Sequence, residues 1–166
     1  MIDQRELLES VVGEPYFNNA HRVAQLLYHA GLWMGTPWCA NSASRGPRGG
    51  VSCHNLPRAL YMETGALPDD FPEIRGDPNG TRHTRKSVIE PWLDARPEFR
   101  RVPVSELAPG DLLGIRIYHC VDHLGVVLTR WQFIHVLMHK RTTMDPFGVS
   151  PWRERIGAAW RPTGKV

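Results

Sequence analysis

The stretch from Leu107 to His139 constrains this chain most. Three short runs, "LAPGDLLGIRI", "HLGVVLTR" and "QFIHVLMH", are rich in β-branched, aliphatic and aromatic residues. A Pro-Gly-Asp turn opens the first, in which Leu113, Ile115 and Ile117 alternate, and a turn near Thr129 to Gln132 separates the last two. They read as three consecutive antiparallel strands. The half of the chain before them reads differently. Leu7, Leu8, Val11 and Val12 have helical spacing until Gly13 and Pro15. A second helix, capped by Asn18 or Asn19, carries Val23, Leu26, Leu27, Ala30 and Trp33 on one stripe and stops at Gly35 and Pro37. A third is expected from near Cys53 to Thr64, closed by Gly65. Helices followed by antiparallel strands make an α+β fold.

Between Ala66 and Glu106 the chain is polar and broken by prolines, and only "SVIE" at Ser87 to Glu90 signals an element, as a capping box at a helix start. The rest is expected to run over the surface. So long an irregular connection in a compact domain is usually functional, and a substrate lid is the expected role. A length of 166 residues with 42% hydrophobic and 22% charged residues suits one globular domain, residues 1–166.

Charge excludes some partners. The 20 basic against 17 acidic side chains give a net charge of only +3, and the basic residues are scattered rather than gathered into a stripe, so nucleic acid is not an expected partner. No apolar run approaches the ~18 residues of a membrane span, so no membrane insertion is expected. "MIDQRELLESVVG" lacks the apolar core of a signal peptide, and the expectation is a protein made and kept in the cytoplasm unless exported by another route. Three cysteines at wide, unequal spacing form neither a disulfide framework nor a paired zinc site, and a reducing compartment fits them.

One cysteine is placed for chemistry. In "RGGVSCHNLPRAL" the glycines permit a tight turn, Ser52 is a good cap, and Cys53 would be the first helical residue. A thiol there feels the positive end of the helix, which favours the thiolate. A nucleophilic cysteine also needs a base and a group to orient it. Eight histidines are available, and a hairpin centred on residue 129 would make His123 and His135 cross-strand neighbours. The rival reading makes "HCVDH" a metal site, with His119, Cys120 and His123 as ligands, although in a strand Cys120 faces away from both histidines. Pro57 sets a further question, because a helix starting at Cys53 would leave that residue's carbonyl without its partner. Either the first turn is distorted, or the helix starts at Asn55.

The motifs "GTPW", "GGVSCHNL", "LAPGDLL", "HLGVVL" and "FIHV", in that order, resemble the NlpC/P60 family of cell-wall cysteine peptidases, and "GTPW" resembles its branch associated with phage tails and injection devices. The resemblance spans roughly residues 23–135, with "AAWRP" beyond it. It implies a papain-like fold, with N-terminal helices packed on a small antiparallel sheet. It makes Cys53 the nucleophile, His123 the base and His135 its orienter, with no metal or other cofactor. The implied substrate is the peptide stem of peptidoglycan, often cut between D-glutamate and diaminopimelate, and the implied partners are phage-tail or injection-device proteins. Trp38, Ser52 and His54 are the expected substrate-binding residues, with modulation of the thiol pKa as the alternative role for the imidazole of His54, and Trp33 and Trp131 are further candidates to line a cleft. Where the family commonly has Asp-Cys-Ser-Gly-Leu, this chain has Ser52, Cys53, His54, Asn55 and Leu56, and Trp38 stands where a tyrosine is frequent. These departures leave open a scaffold that has kept the fold without turnover, and an acyltransferase or amidase acting on another substrate.

Overall fold

A computed structural model describes residues 14–74 and 83–164, so the helix expected over residues 3–12 lies outside the described residues. In chain order the elements are α1 (Ala20–Trp33), β1 (Ala43–Ser44), β2 (Gly50–Val51), α2 (Asn55–Glu63), α3 (Ile89–Asp94) and β3 (Phe99–Arg101). A short 3-10 turn at Val104–Glu106 leads into β4 (Leu112–Arg116), β5 (Val121–Val127), β6 (Gln132–His135), β7 (Thr143–Pro146), α4 (Trp152–Arg155) and β8 (Ile156–Pro162).

Local signals set the helix ends. Asn19 caps α1 by accepting from the Arg22 amide at 3.0 Å. Leu26, Ala30 and Trp33 form its buried face, whereas Leu27, expected on that stripe, is 41% exposed. Gly65 takes a φ of +77° just beyond α2, a conformation that glycine adopts without strain. Ser87 Oγ accepts from the Glu90 amide at 3.1 Å, one half of the expected capping box; the Glu90 carboxylate turns instead to Arg101, 3.1 Å away.

Six strands form one sheet in the order β3-β8-β4-β5-β6-β7, every neighbouring pair antiparallel. The three runs singled out above supply β4, β5 and β6, and β8 inserts between β3 and β4. Alternation along β4 separates two cores. Leu112, with Leu124, Val126, Ile134 and Trp160, packs with Leu26, Leu56 and Leu60 of the helices. Leu113 and Ile115 pack instead with Val127, Phe133, Ala159 and Trp152. Ile117, expected to extend the strand, lies beyond its end.

Within its described residues, the connection from Ala66 is anchored in the core before α3. Ala66, Leu67, Phe71 and Ile74 are all at most 5% exposed and complete the helix-side core, which removes about 1.5–3 kcal/mol of apolar exposure for each large side chain. Polar composition hid this because the apolar residues there follow no strand or helix period.

Candidate active site

The sharpest correction concerns the helix start. Helix α2 begins at Asn55, so Cys53 lies just before it instead of being its first residue. Ser52 still caps: its Oγ accepts from the Asn55 amide at 3.1 Å and its carbonyl from the Leu56 amide at 3.0 Å. Pro57 is then the third helical residue, within the first turn, where its missing N–H and fixed φ are tolerated. Among the described residues the Cys53 and His54 amides have no hydrogen-bond partner, so two N–H groups remain unpaired beside the thiol.

The histidines come from the sheet. The β5–β6 register pairs Val126 with Ile134 and Val127 with Phe133, which centres the hairpin on residue 130. His123 and His135 are therefore diagonal neighbours, not directly opposed as a centre at 129 would make them. They meet all the same, with His123 Nε2 at 2.9 Å from His135 Nδ1. His135 is fully buried, stacked on Phe133 with ring centroids 4.5 Å apart and met edge-on by Trp152 at 4.7 Å. Gly125 makes room for this stack, since a Cβ there would lie 2.6 Å from the Phe133 ring.

Two further side chains complete the site. His135 Nε2 lies 3.0 Å from Asp145 Oδ2, which also accepts from Trp152 Nε1 at 3.1 Å. The sequence reading missed Asp145 and Trp152, because neither β7 nor α4 carries a strong periodic signal. "TMDPFG" could have flagged a turn-flanking carboxylate, but not its partner ten residues earlier.

Hydrogen bonding fixes the protons along this chain. A carboxylate accepts only, so His135 holds its proton on Nε2 and presents the bare Nδ1 to His123. His123 must then donate from Nε2, and its Nδ1 is the nitrogen left for the thiol. Burial, joined by the neighbouring His123, holds the His135 pKa down to about 4 against the pull of Asp145, so His135 is neutral around pH 7.

Cys53 is half-buried and packs against the helix-side core. Burial opposes its ionisation, but the neighbouring imidazoles of His54 and His123 outweigh it and bring the thiol down to about 5. His54 moves the opposite way. Burial disfavours its cation, yet the Cys53 thiolate and the Asp122 backbone carbonyl raise it to about 9. That carbonyl, 3.0 Å from His54 Nε2, belongs to a bulge: Ile115 pairs with His123 and Arg116 with Val121, so Asp122 is the extra residue.

These groups open onto a cavity of about 220 Å³ whose lining includes Trp38, Ser52, Cys53, His54 and His123. Ile74, Val88, Ile117, Val121, Leu137 and Met138 give the rest of the wall a largely apolar character. The expected neighbours Trp38, Ser52 and His54 are thus all at the cavity, although the Ser52 hydroxyl is already engaged as a cap. Trp33 is buried and bonded to Glu63, and Trp131 is 66% exposed on the β5–β6 turn; neither lines it. The metal reading finds no support in the geometry. His119 is exposed, Cys120 is buried, and among the described residues no three His, Cys, Asp or Glu side chains converge as ligands.

No family model matches the chain, and no curated protein is similar to it in sequence. Solved structures are similar in shape. A lipoprotein-like protein of the NLP/P60 family from Staphylococcus aureus superposes with a TM-score of 0.59 at 17% identity, over 89% of this chain and 43% of that one. The peptidoglycan hydrolase RipB from Mycobacterium tuberculosis superposes with a TM-score of 0.58 at 20% identity, over 90% of this chain and 68% of its own. The chain therefore spans less than half the length of the first of these proteins. What they share with it is the fold, and the order of helices and antiparallel strands derived above is the α+β, papain-like architecture of the NlpC/P60 proteins.

Proposed function

We propose that this chain is a cysteine peptidase that hydrolyses an amide bond in the peptide stems of peptidoglycan, with the bond between D-glutamate and diaminopimelate as the candidate target. The observation that carries this reading is the thiol held between two imidazoles at the mouth of a cavity, one of which heads a chain through His135 to Asp145. Peptidoglycan as the substrate is supported by the motif order and by the likeness to RipB, itself a peptidoglycan hydrolase. Work at a phage tail or injection device rests on "GTPW".

In this mechanism the Cys53 thiolate attacks the carbonyl carbon, and the unpaired amides of Cys53 and His54 receive the developing oxyanion. The C–N bond breaks as its nitrogen takes a proton from the site, leaving a thioester on Cys53. His123 then draws a proton from water, whose oxygen attacks the thioester and restores the thiolate. A lowered thiol favours this reading over a scaffold without turnover, which has no use for it. The apolar cavity wall favours one alternative, transfer of an apolar acyl group, which an acyl-donor screen separates from hydrolysis. The direct test digests purified peptidoglycan and identifies the fragments by mass spectrometry; equal release by wild type and Cys53→Ala would overturn the proposal.

A further inference from the structure

His54 is expected from the sequence to bind substrate, and the site also gives its ring a fixed contact, the Asp122 carbonyl 3.0 Å from Nε2. A carbonyl oxygen accepts and never donates, so the bond to Asp122 keeps a proton on His54 Nε2 and leaves Nδ1 for the neighbouring thiol. His123 also offers its Nδ1 to that thiol. Two bases therefore compete for one proton.

Their surroundings differ. His123 is 3% exposed, and its Nε2 faces another neutral ring, with the nearest carboxylate of its chain one imidazole farther away at Asp145. His54 is only partly buried and borders the cavity. Its Nε2 faces the negative end of a carbonyl dipole, and the carboxylate of the same residue, Asp122, adds a charge nearby. Among the described residues, the titratable groups that act on His54 are Cys53 in its own turn and Asp122 on β5, and His123 and Tyr118 line the same cavity. A cation is less costly where solvent is nearer and an anion closer. We propose that His54 Nδ1 holds the Cys53 proton in the resting site, so that the nucleophile stands as a thiolate paired with the imidazolium next to it in the chain, while His123 stays neutral.

The step is balanced. The S–H bond of Cys53 breaks, an N–H bond forms on His54 Nδ1, and no other group changes charge. On attack, that proton passes to the leaving nitrogen as the C–N bond breaks; His123, bearing a lone pair on Nδ1, takes the proton of the incoming water and yields it to His54 once the acid has left and the thiolate is restored, which regenerates the resting pair. Acid and base thus reside on different rings. The β-bulge gives the arrangement its structural origin, because without the extra residue the Asp122 carbonyl would be committed to the strand ladder.

The inference rests on Cys53 as the nucleophile, but its test needs no substrate, so its failure is distinguishable from failure of the peptidoglycan reading. Iodoacetamide labelling of the Cys53 peptide, followed by mass spectrometry across pH, is compared in wild type, His54→Gln and His123→Gln. The wild-type midpoint is expected near 5. His54→Gln should move it up towards the ordinary thiol value of about 8.5, while His123→Gln should move it less. The reverse order overturns the proposal. Should His54→Gln fail to fold, imidazole NMR of the wild-type protein decides: His54 charged at pH 7 supports the assignment, and His54 neutral at pH 7 overturns it.

Discussion

Two clusters of buried polar groups stand at opposite ends of the β4–β5 hairpin, and they are built on different rules. Where β4 begins, Asp111, 1% exposed, accepts two bonds of 2.8 Å from Arg161 and one of 2.8 Å from the Ala108 amide. Its charges are permanent and matched. Where β5 begins, Cys53, His54, His123 and His135 lie together, a thiol and three imidazoles among which a proton can be shared. Burial serves the first cluster by strengthening a fixed pair, and serves the second by making the position of a proton sensitive to small changes around it. A buried polar group thus reads as structural when its charge is settled, and as chemical when its neighbours decide it.

That contrast can be broken at either end. Cys53→Ala should bring peptidoglycan hydrolysis down by ~10⁴-fold or more while the urea midpoint barely moves; loss of the fold instead would erase the distinction. Asp111→Ala should do the opposite. It leaves Arg161 without its carboxylate, with only the Glu106 carbonyl to accept from it, and costs about 3–5 kcal/mol of stability in urea titration, with Cys53 labelling unchanged in the folded protein. Asp145→Asn should lower turnover by ~10²-fold with KM little changed, because the group that sets the His135 proton is lost one ring away from the base.

The pH profile sharpens the comparison further. Activity per substrate should rise as Cys53 ionises near 5 and fall as the pair loses its proton near 9, these values belonging to the pair as a whole. A single limb near 8.5 in kcat/KM would remove the case for a lowered thiol. Trp152→Phe should have the smallest effect, since it forfeits one bond to Asp145 worth about 1 kcal/mol, or roughly a fivefold loss of turnover.

What the sequence disclosed follows the range of each interaction. Asn19, Ser52, Gly65 and Ser87 act on groups two to three residues away or on their own backbone, and each was legible as a local signal. His123 and His135 were legible as a pair because a short hairpin joins them, even with its centre displaced by one residue. Asp145 and Trp152 were not, since their meeting with His135 depends on β7 and α4 folding back over the sheet. The burial of Leu67, Phe71 and Ile74 was hidden for a similar reason, being imposed by tertiary packing on a segment without periodicity. The helix start was legible only as a choice, and Pro57 was the residue that posed it.

Strand β8 sets a timetable for the molecule. Among the described residues it supplies the only partner of β3 and one neighbour of β4, yet in chain order it follows every other described strand. During synthesis Cys53, helix α2 and the hairpin bearing His123 and His135 leave the ribosome before the residues that seal the sheet and bring Arg161 to Asp111. Contacts across such sequence separations form late, so the sheet closes only after residues 156–162 have been made. Assembly of the sheet around Cys53, His123 and His135 is thereby tied to the synthesis of β8, and a nascent chain stalled before β8 carries these side chains without the frame that holds them.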